Sequence, residues 1–222
     1  MTTLLQIVRR HEETMRGEDG TKLDKPTTEG IASAYEKGHK LRLEYPDYVL
    51  RAYHSATQRT YACAAAWLLG ADARTMEVPS LEEQLNNFET TPEIRKQIRK
   101  MKDEMEQYDL LLTKFIDPMK EAGKRIAKYI VRKLCAYREQ GQKAPMIDIN
   151  LTHGPAIDAA YLTLLNLDVN FRNVISFLGI INAGEGFDVQ LKEDEGKYKV
   201  EITAKDKRNS FLLDDLKKNL SV

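Results

Sequence analysis

The stretch Leu4-Leu5-Gln6-Ile7-Val8-Arg9-Arg10-His11 decides the fold. Its apolar run is short and ends in charge, the pattern of a strand buried on both faces of a parallel sheet. A second run of this kind, Met146-Ile147-Asp148-Ile149-Asn150-Leu151-Thr152, ends in His153-Gly154. A third candidate strand, residues 48–53, leads into His54-Ser55-Ala56-Thr57-Gln58-Arg59. Ligands of open α/β sheets sit beyond the carboxyl ends of the strands. The strand ends here carry Arg and His side chains. The chain has four His, and three of them lie in these segments.

Helical patterns separate the strands. Thr27 or Thr28 caps a helix that runs to about Leu43, with Ala32, Ala34, Tyr35, Gly38, Leu41 and Leu43 on one face. Residues 12–26, with Gly17, Gly20 and Pro26, read as a loop. The Ala- and Leu-rich residues 59–69 read as a helix ending at Gly70. Residues 76–78 read as a short strand, and 156–165 as a helix. Residues 174–181, 186–192 and 197–203 alternate like strands, the last two as an edge hairpin. Strand–helix alternation predicts an α/β fold with a mostly parallel central sheet. Residues 1–222 read as one domain. Residues 92–142 are a helical insertion within it, with at least two helices, at 93–107 and about 110–140, and Pro118 as the place for a bend in the second. No heptad is sustained there, so its charged faces are solvated rather than a coiled coil.

Composition narrows the partners. Lys plus Arg and Asp plus Glu both number 34, so there is no basic field for nucleic acid. No apolar run is long enough to span a bilayer, and the first residues lack the pattern of a signal peptide. Cys63 and Cys135 lie far apart in helix-like sequence, as buried thiols of a reducing compartment do. The expectation is a soluble, cytoplasmic protein with neither nucleic-acid nor membrane partners. Nothing in the motifs fixes an oligomeric state.

The strand ends suit a tetrahedral anion. The planar fork of Arg donates paired hydrogen bonds to phosphate or carboxylate. One unprotonated His can attack phosphorus, and a second, protonated, can stabilise the equatorial oxygens. A carboxylic acid must then protonate the leaving alkoxide. Ser80-Leu81-Glu82-Glu83-Gln84 supplies two carboxylates, which equally fit the first turn of a helix capped by Ser80. A metal held by His11, His153 and a Glu is disfavoured, because the Arg residues repel a cation. His54 reads as a loop histidine or a pocket-rim residue. His39, among Lys37, Lys40 and Arg42, reads as a solvated face.

Taken in order, these segments resemble the histidine phosphatase superfamily, which includes the phosphoglycerate mutases. That family opens on a strand ending Arg-His-Gly-Glu-Thr; Arg10-His11-Glu12-Glu13-Thr14 stands here. A helix start of the Leu-Thr-x-x-Gly type is matched at Thr27 and Gly30. A Ser-x-x-x-Arg-x-x-x-Thr-Ala segment is matched at Ser55, Arg59 and Ala64, with Cys63 in place of Thr. A final strand ending His-Gly is matched by His153-Gly154. The resemblance implies a three-layer α/β sandwich whose 92–142 helices form part of a cap. It implies a metal- and cofactor-independent phosphomonoester hydrolase acting on a small phosphorylated substrate. His11 would be the nucleophile, with Arg10, Arg59 and His153 around the phosphate and Glu83, or else Glu82, as the acid. Thr14 and His54 would be accessory.

Two positions depart from the family pattern. Glu12 stands where a glycine is usual, and Gly17 stands where an asparagine often supplies a phosphate hydrogen bond. A carboxylate pointing inward beside the nucleophile repels a dianion; one pointing away costs little. Glu12 therefore keeps open a catalytically weak, phosphate-ester-binding regulatory module. A mutase-type phosphotransferase is the other alternative. The segment after Glu83 lacks the Arg-rich, Tyr-containing pattern of the mutases, which favours the hydrolase.

Overall fold

Strand β1 (Thr2–Arg10) lies inside a seven-stranded sheet of order β5-β4-β6-β1-β7-β8-β9 in the computed structural model, which describes residues 2–18, 22–72, 78–101, 104–141, 144–177, 179 and 181–222. β4 (Val49–His54), β5 (Ser80–Leu81) and β6 (Met146–Thr152) run parallel to β1 on one side. β7 (Gly186–Asp194), β8 (Lys197–Ala204) and β9 (Lys207–Leu212) extend the other side as an antiparallel meander. The small hairpin β2 (Thr14–Arg16) and β3 (Lys22–Pro26) stands apart.

The apolar sequence of β1 is divided between two layers. Leu4 and Val8 face one core, Leu5 and Ile7 the other, as the two-residue period of a strand requires. α1 (Thr28–Glu44) and α2 (Gln58–Gly70) cover the Leu5–Ile7 face. α5 (Ile116–Glu139), α6 (Gly154–Leu164) and α8 (Leu213–Leu220) cover the other. This is a three-layer α/β sandwich, as expected. No helix among the described residues is long and apolar enough to cross a membrane.

Asp148 is the one charged residue of the buried β6 strand. Its carboxylate accepts from Arg51 Nε and Nη2 at 2.7 and 3.0 Å and from Gln6 Nε2 at 2.7 Å. Asn150 donates to Gln6 and accepts from Tyr129. A buried charge needs such pairing.

Several sequence expectations are corrected. Residues 12–26 are not all loop but hold the β2–β3 hairpin. Residues 174–177 are not strand: α7 (Phe171–Phe177) forms there, with the Asn170 side chain capping the main-chain N–H of Asn173 at 2.8 Å; of the rest of the strand expected at 174–181, residues 178 and 180 lie outside the described residues. Where at least two helices were expected in 92–142, the described residues hold three with other bounds, namely α3 (Pro92–Lys100), α4 (Glu104–Lys114) and α5. The break falls at Phe115, and Pro118 sits in the first turn of α5, where no N–H is missed. The terminal strands form a three-stranded meander rather than a hairpin, and α8 follows. Tyr35 and Leu43 are exposed, so the buried face of α1 is narrower than predicted. Of the strand expected at 76–78, Met76 and Glu77 lie outside the described residues. Cys63 and Cys135 are free and buried, as expected.

Candidate active site

The register of the central strands assembles the site. β1 and β6 pair with Arg10 opposite Thr152, so the next residues, His11 and His153, emerge side by side. The main-chain N–H of His11 donates to the Thr152 carbonyl at 3.1 Å. The two imidazoles meet edge to face with centroids 5.4 Å apart. On the other side of β6, Ser55 N–H donates to Leu151 O at 3.2 Å, and α2 then brings in Arg59. Arg10, His11, Arg59 and His153 all line one cavity of about 270 Å³. Its far wall comes from Asn87, Phe88 and Thr90, and from Ile98, Tyr108 and Leu111 of α3 and α4. Those two helices cover the site, whereas α5 belongs to the core.

Hydrogen bonds fix the protons on both rings. His11 Nδ1 lies 2.7 Å from the carbonyl oxygen of Glu12, which can only accept, so Nδ1 carries the hydrogen. In the neutral ring the lone pair then falls on His11 Nε2. His153 Nδ1 lies 3.5 Å from Arg59 Nη2, which can only donate. His153 Nε2–H therefore donates to Ser55 Oγ at 2.8 Å. Ser55 is fully buried and lies 3.1 Å from Thr60 Oγ1.

Burial, and then the positive charge of His11, Arg59 and Arg10, hold His153 well below the ordinary imidazole value. The neutral form follows, where a protonated His153 was expected. A phosphoryl dianion beside those cations acts in the opposite direction and favours protonation at Nδ1. Burial also lowers Arg59, opposed by Asp24 at 3.8 Å. Arg10 Nη1 donates to Ile181 O at 2.7 Å.

The remaining predicted residues are more scattered. Thr14 lines a second cavity, of about 370 Å³, with Arg10, His11, Arg16 and Asn182. His54 bonds to the Ser55 carbonyl, meets Tyr61 edge to face and does not line the histidine cavity. Glu82 and Glu83 are not among that cavity's lining residues either. Glu82 folds back to accept from Gln84 N–H at 3.1 Å, and Glu83 is exposed in a short 3-10 turn, Glu83–Leu85. Ser80 does not cap this turn; Glu82 does. Glu12 is not among the residues lining the histidine cavity; it lines the second one and pairs with Lys37 of α1. The sequence reading missed Ser55 as the residue orienting His153, and missed Tyr108 in the wall. The Ser55 signal was present in its spacing from Arg59. Tyr108 gave none. Among the described residues, no group of three or more His, Cys, Asp or Glu side chains is placed to hold a metal ion.

Two His and two Arg thus converge beyond the parallel strands of an α/β sandwich, where ligands of such sheets sit. No family model and no curated protein matches the chain. Solved structures do. A structure described as mycobacterial hydrolase 1 aligns over 96% of this chain and 97% of its own, with TM-score 0.59 and 15% identity. Mycobacterial glucosyl-3-phosphoglycerate phosphatase in complex with VO3 aligns over 92% and 99%, with TM-score 0.58 and 15% identity. Phosphoserine phosphatase of Entamoeba histolytica in complex with 3-phosphoglyceric acid aligns over 94% and 98%, with TM-score 0.53 and 15% identity. At this identity the likeness is one of fold.

Proposed function

We propose that this chain is a phosphomonoester hydrolase of the histidine phosphatase type, working through a phosphohistidine on His11. One observation carries the reading: His11, held through Nδ1 by the Glu12 carbonyl, lines a cavity together with Arg10, Arg59 and His153. Arg10 and Arg59 bind the phosphoryl oxygens, and His153 donates to an equatorial oxygen from Nδ1 once protonated. His11 Nε2 attacks phosphorus, the ester P–O bond breaks, and Glu83 gives its proton to the leaving oxygen. Water, deprotonated by the same carboxylate, then releases phosphate from His11. No metal or organic cofactor takes part. The substrate is a small phosphorylated molecule, and residues 1–222 act as one domain with α3 and α4 as its cover. Fold likeness to phosphatases supports the reaction class. Glu12 turned onto Lys37 weakens the case for a merely binding module.

The test is turnover of p-nitrophenyl phosphate and a panel of alkyl monoesters by the wild type and His11→Ala. The wild type should release phosphate without added metal and in the presence of EDTA, and rapid quenching should trap an acid-labile phosphoenzyme. His11→Ala should lose both. Turnover that survives His11→Ala would sink the mechanism.

A further inference from the structure

We propose that Lys37 and Glu12 form a positioning pair that holds the nucleophile loop and neutralises the carboxylate beside His11. The inference rests on the hydrolase reading for its catalytic consequence, but the pair itself stands on geometry. Glu12 is buried, at 5% exposure. Lys37 Nζ reaches its Oε1 at 2.5 Å and also donates to the Gly184 carbonyl at 3.2 Å. Gly184 N–H in turn donates to the carbonyls of Arg10 and His11, at 3.1 and 3.3 Å. Glu12's own carbonyl accepts from His11 Nδ1. One residue thus orients the imidazole with its main chain and is anchored to α1 with its side chain.

Gly184 fits this arrangement closely. Its φ is +74°, and a Cβ there would lie 2.2 Å from Lys37 Nζ and 2.4 Å from Glu12 Oε2. The pair fills the space a side chain would need. A buried carboxylate without a partner would cost several kcal/mol, and beside His11 it would repel a phosphoryl dianion. Paired with Lys37, it carries no net charge toward the site. Lys37 is therefore the residue that makes Glu12 compatible with an anionic substrate.

The groups facing His11 are Arg10, Glu12 and Glu13 of its own segment, Arg16 of the hairpin, Arg59 of α2 and His153 after β6. Behind Glu12 stand Lys37 of α1 and Cys63 of α2, whose thiol burial pushes up to about 11. In Lys37→Met, Glu12 faces this set unpaired. Its charge favours protonated His11, the form that cannot attack.

The experiment combines steady-state kinetics with an NMR titration of His11 in the wild type, Lys37→Met, Lys37→Arg and the double variant Lys37→Met/Glu12→Gln. Lys37→Met should lower kcat/KM at least tenfold and move both the His11 titration midpoint and the acid limb of the rate profile upward. Lys37→Arg should restore most of the activity. The double variant, with no buried charge, should fold and return the midpoint toward the wild-type value. An unchanged His11 midpoint in folded Lys37→Met, or a double variant no better than the single one, would overturn the pair. If Lys37→Met does not fold, the double variant and Lys37→Arg decide: a His11 midpoint far from the wild type in both overturns it. A wild type without turnover defeats the hydrolase reading alone, because the titration still tests the pair.

Discussion

The Tyr108 hydroxyl donates to Asp158 Oδ2 at 2.7 Å and so ties α4, above the cavity, to α6, below it. Asp158 is fully buried. The Ile181 main chain favours its charged form, while the Ile181 carbonyl accepts from Arg10. The carboxylate is a hub behind Arg10, one of the arginines proposed to hold the phosphoryl group. Burial raises its pKa to about 7, against the pull of Tyr108 and Arg10.

Asp158 gives the protein a pH-dependent stability of definite sign. The unfolded chain loses this proton near 3.8 and the folded chain near 7. Between those values the folded state holds the extra proton, so rising pH destabilises it. His153 acts oppositely: its depressed value means that stability is lost as pH falls below 6.5. Comparing Asp158→Asn with the wild type isolates the first effect. The variant keeps an acceptor for Tyr108 and removes the charge. Its urea midpoint should gain on the wild type between about pH 4 and about pH 7, on the order of 1 kcal/mol per pH unit, and level off above that. A difference that does not change with pH would show that Asp158 titrates normally.

Ser55 should matter through His153. Its hydroxyl accepts the Nε2 hydrogen and leaves Nδ1 toward Arg59. Ser55→Ala removes one buried hydrogen bond, worth about 1–2 kcal/mol. We expect kcat on monoesters to fall about tenfold or more, with KM changed less. An unchanged kcat would show that packing alone orients the ring.

The parts of the site that lie on strands were legible in the sequence, and the parts that depend on packing were not. Arg10-His11 and His153-Gly154 follow apolar runs, and parallel pairing makes equal strand ends converge. Nothing local distinguishes residues 174–181, an apolar β-branched run, from a strand; the Asn170 cap and packing on α6 decide it. Glu12 read as a threat because a sequence cannot say which way a side chain turns. Its partner, Lys37, lies on a helix face that otherwise looks solvated.

The Asp148 network carries a stability prediction. Asp148 holds Arg51 and Gln6, and removing it leaves a guanidinium half-buried against Tyr53 without its counterion. Asp148→Ala should cost about 3–5 kcal/mol. Chemical denaturation with and without Arg51→Met would measure it. The double variant should recover part of the loss, since both charges are then gone. If it does not, the cost lies in packing rather than in the unpaired charge.

In the proposed mechanism, the two glutamates are separated by their dependence on the leaving group. Their turn is firmly held: Arg125 donates to the Gln84 carbonyl at 3.2 Å and to the Asn86 carbonyl, and Thr152 Oγ1 donates to Leu85 O at 2.6 Å. The chain then runs into Asn87 and Phe88 of the cavity wall. Glu82 spends its carboxylate on the Gln84 N–H and lies toward Tyr129 and Lys133. Glu83 makes no side-chain hydrogen bond or ion pair among the described residues, so its carboxyl can serve the leaving group. General acid catalysis is worth about 10²–10⁴ in rate, and most where the leaving alkoxide is poor. Glu83→Gln should therefore lower kcat by that order on an alkyl phosphate and far less on p-nitrophenyl phosphate. Glu82→Gln should weaken the turn, lowering stability by about 1 kcal/mol, and spare the leaving-group dependence. The reverse pattern, with Glu82→Gln alone sensitive to the leaving group, would assign the proton to Glu82.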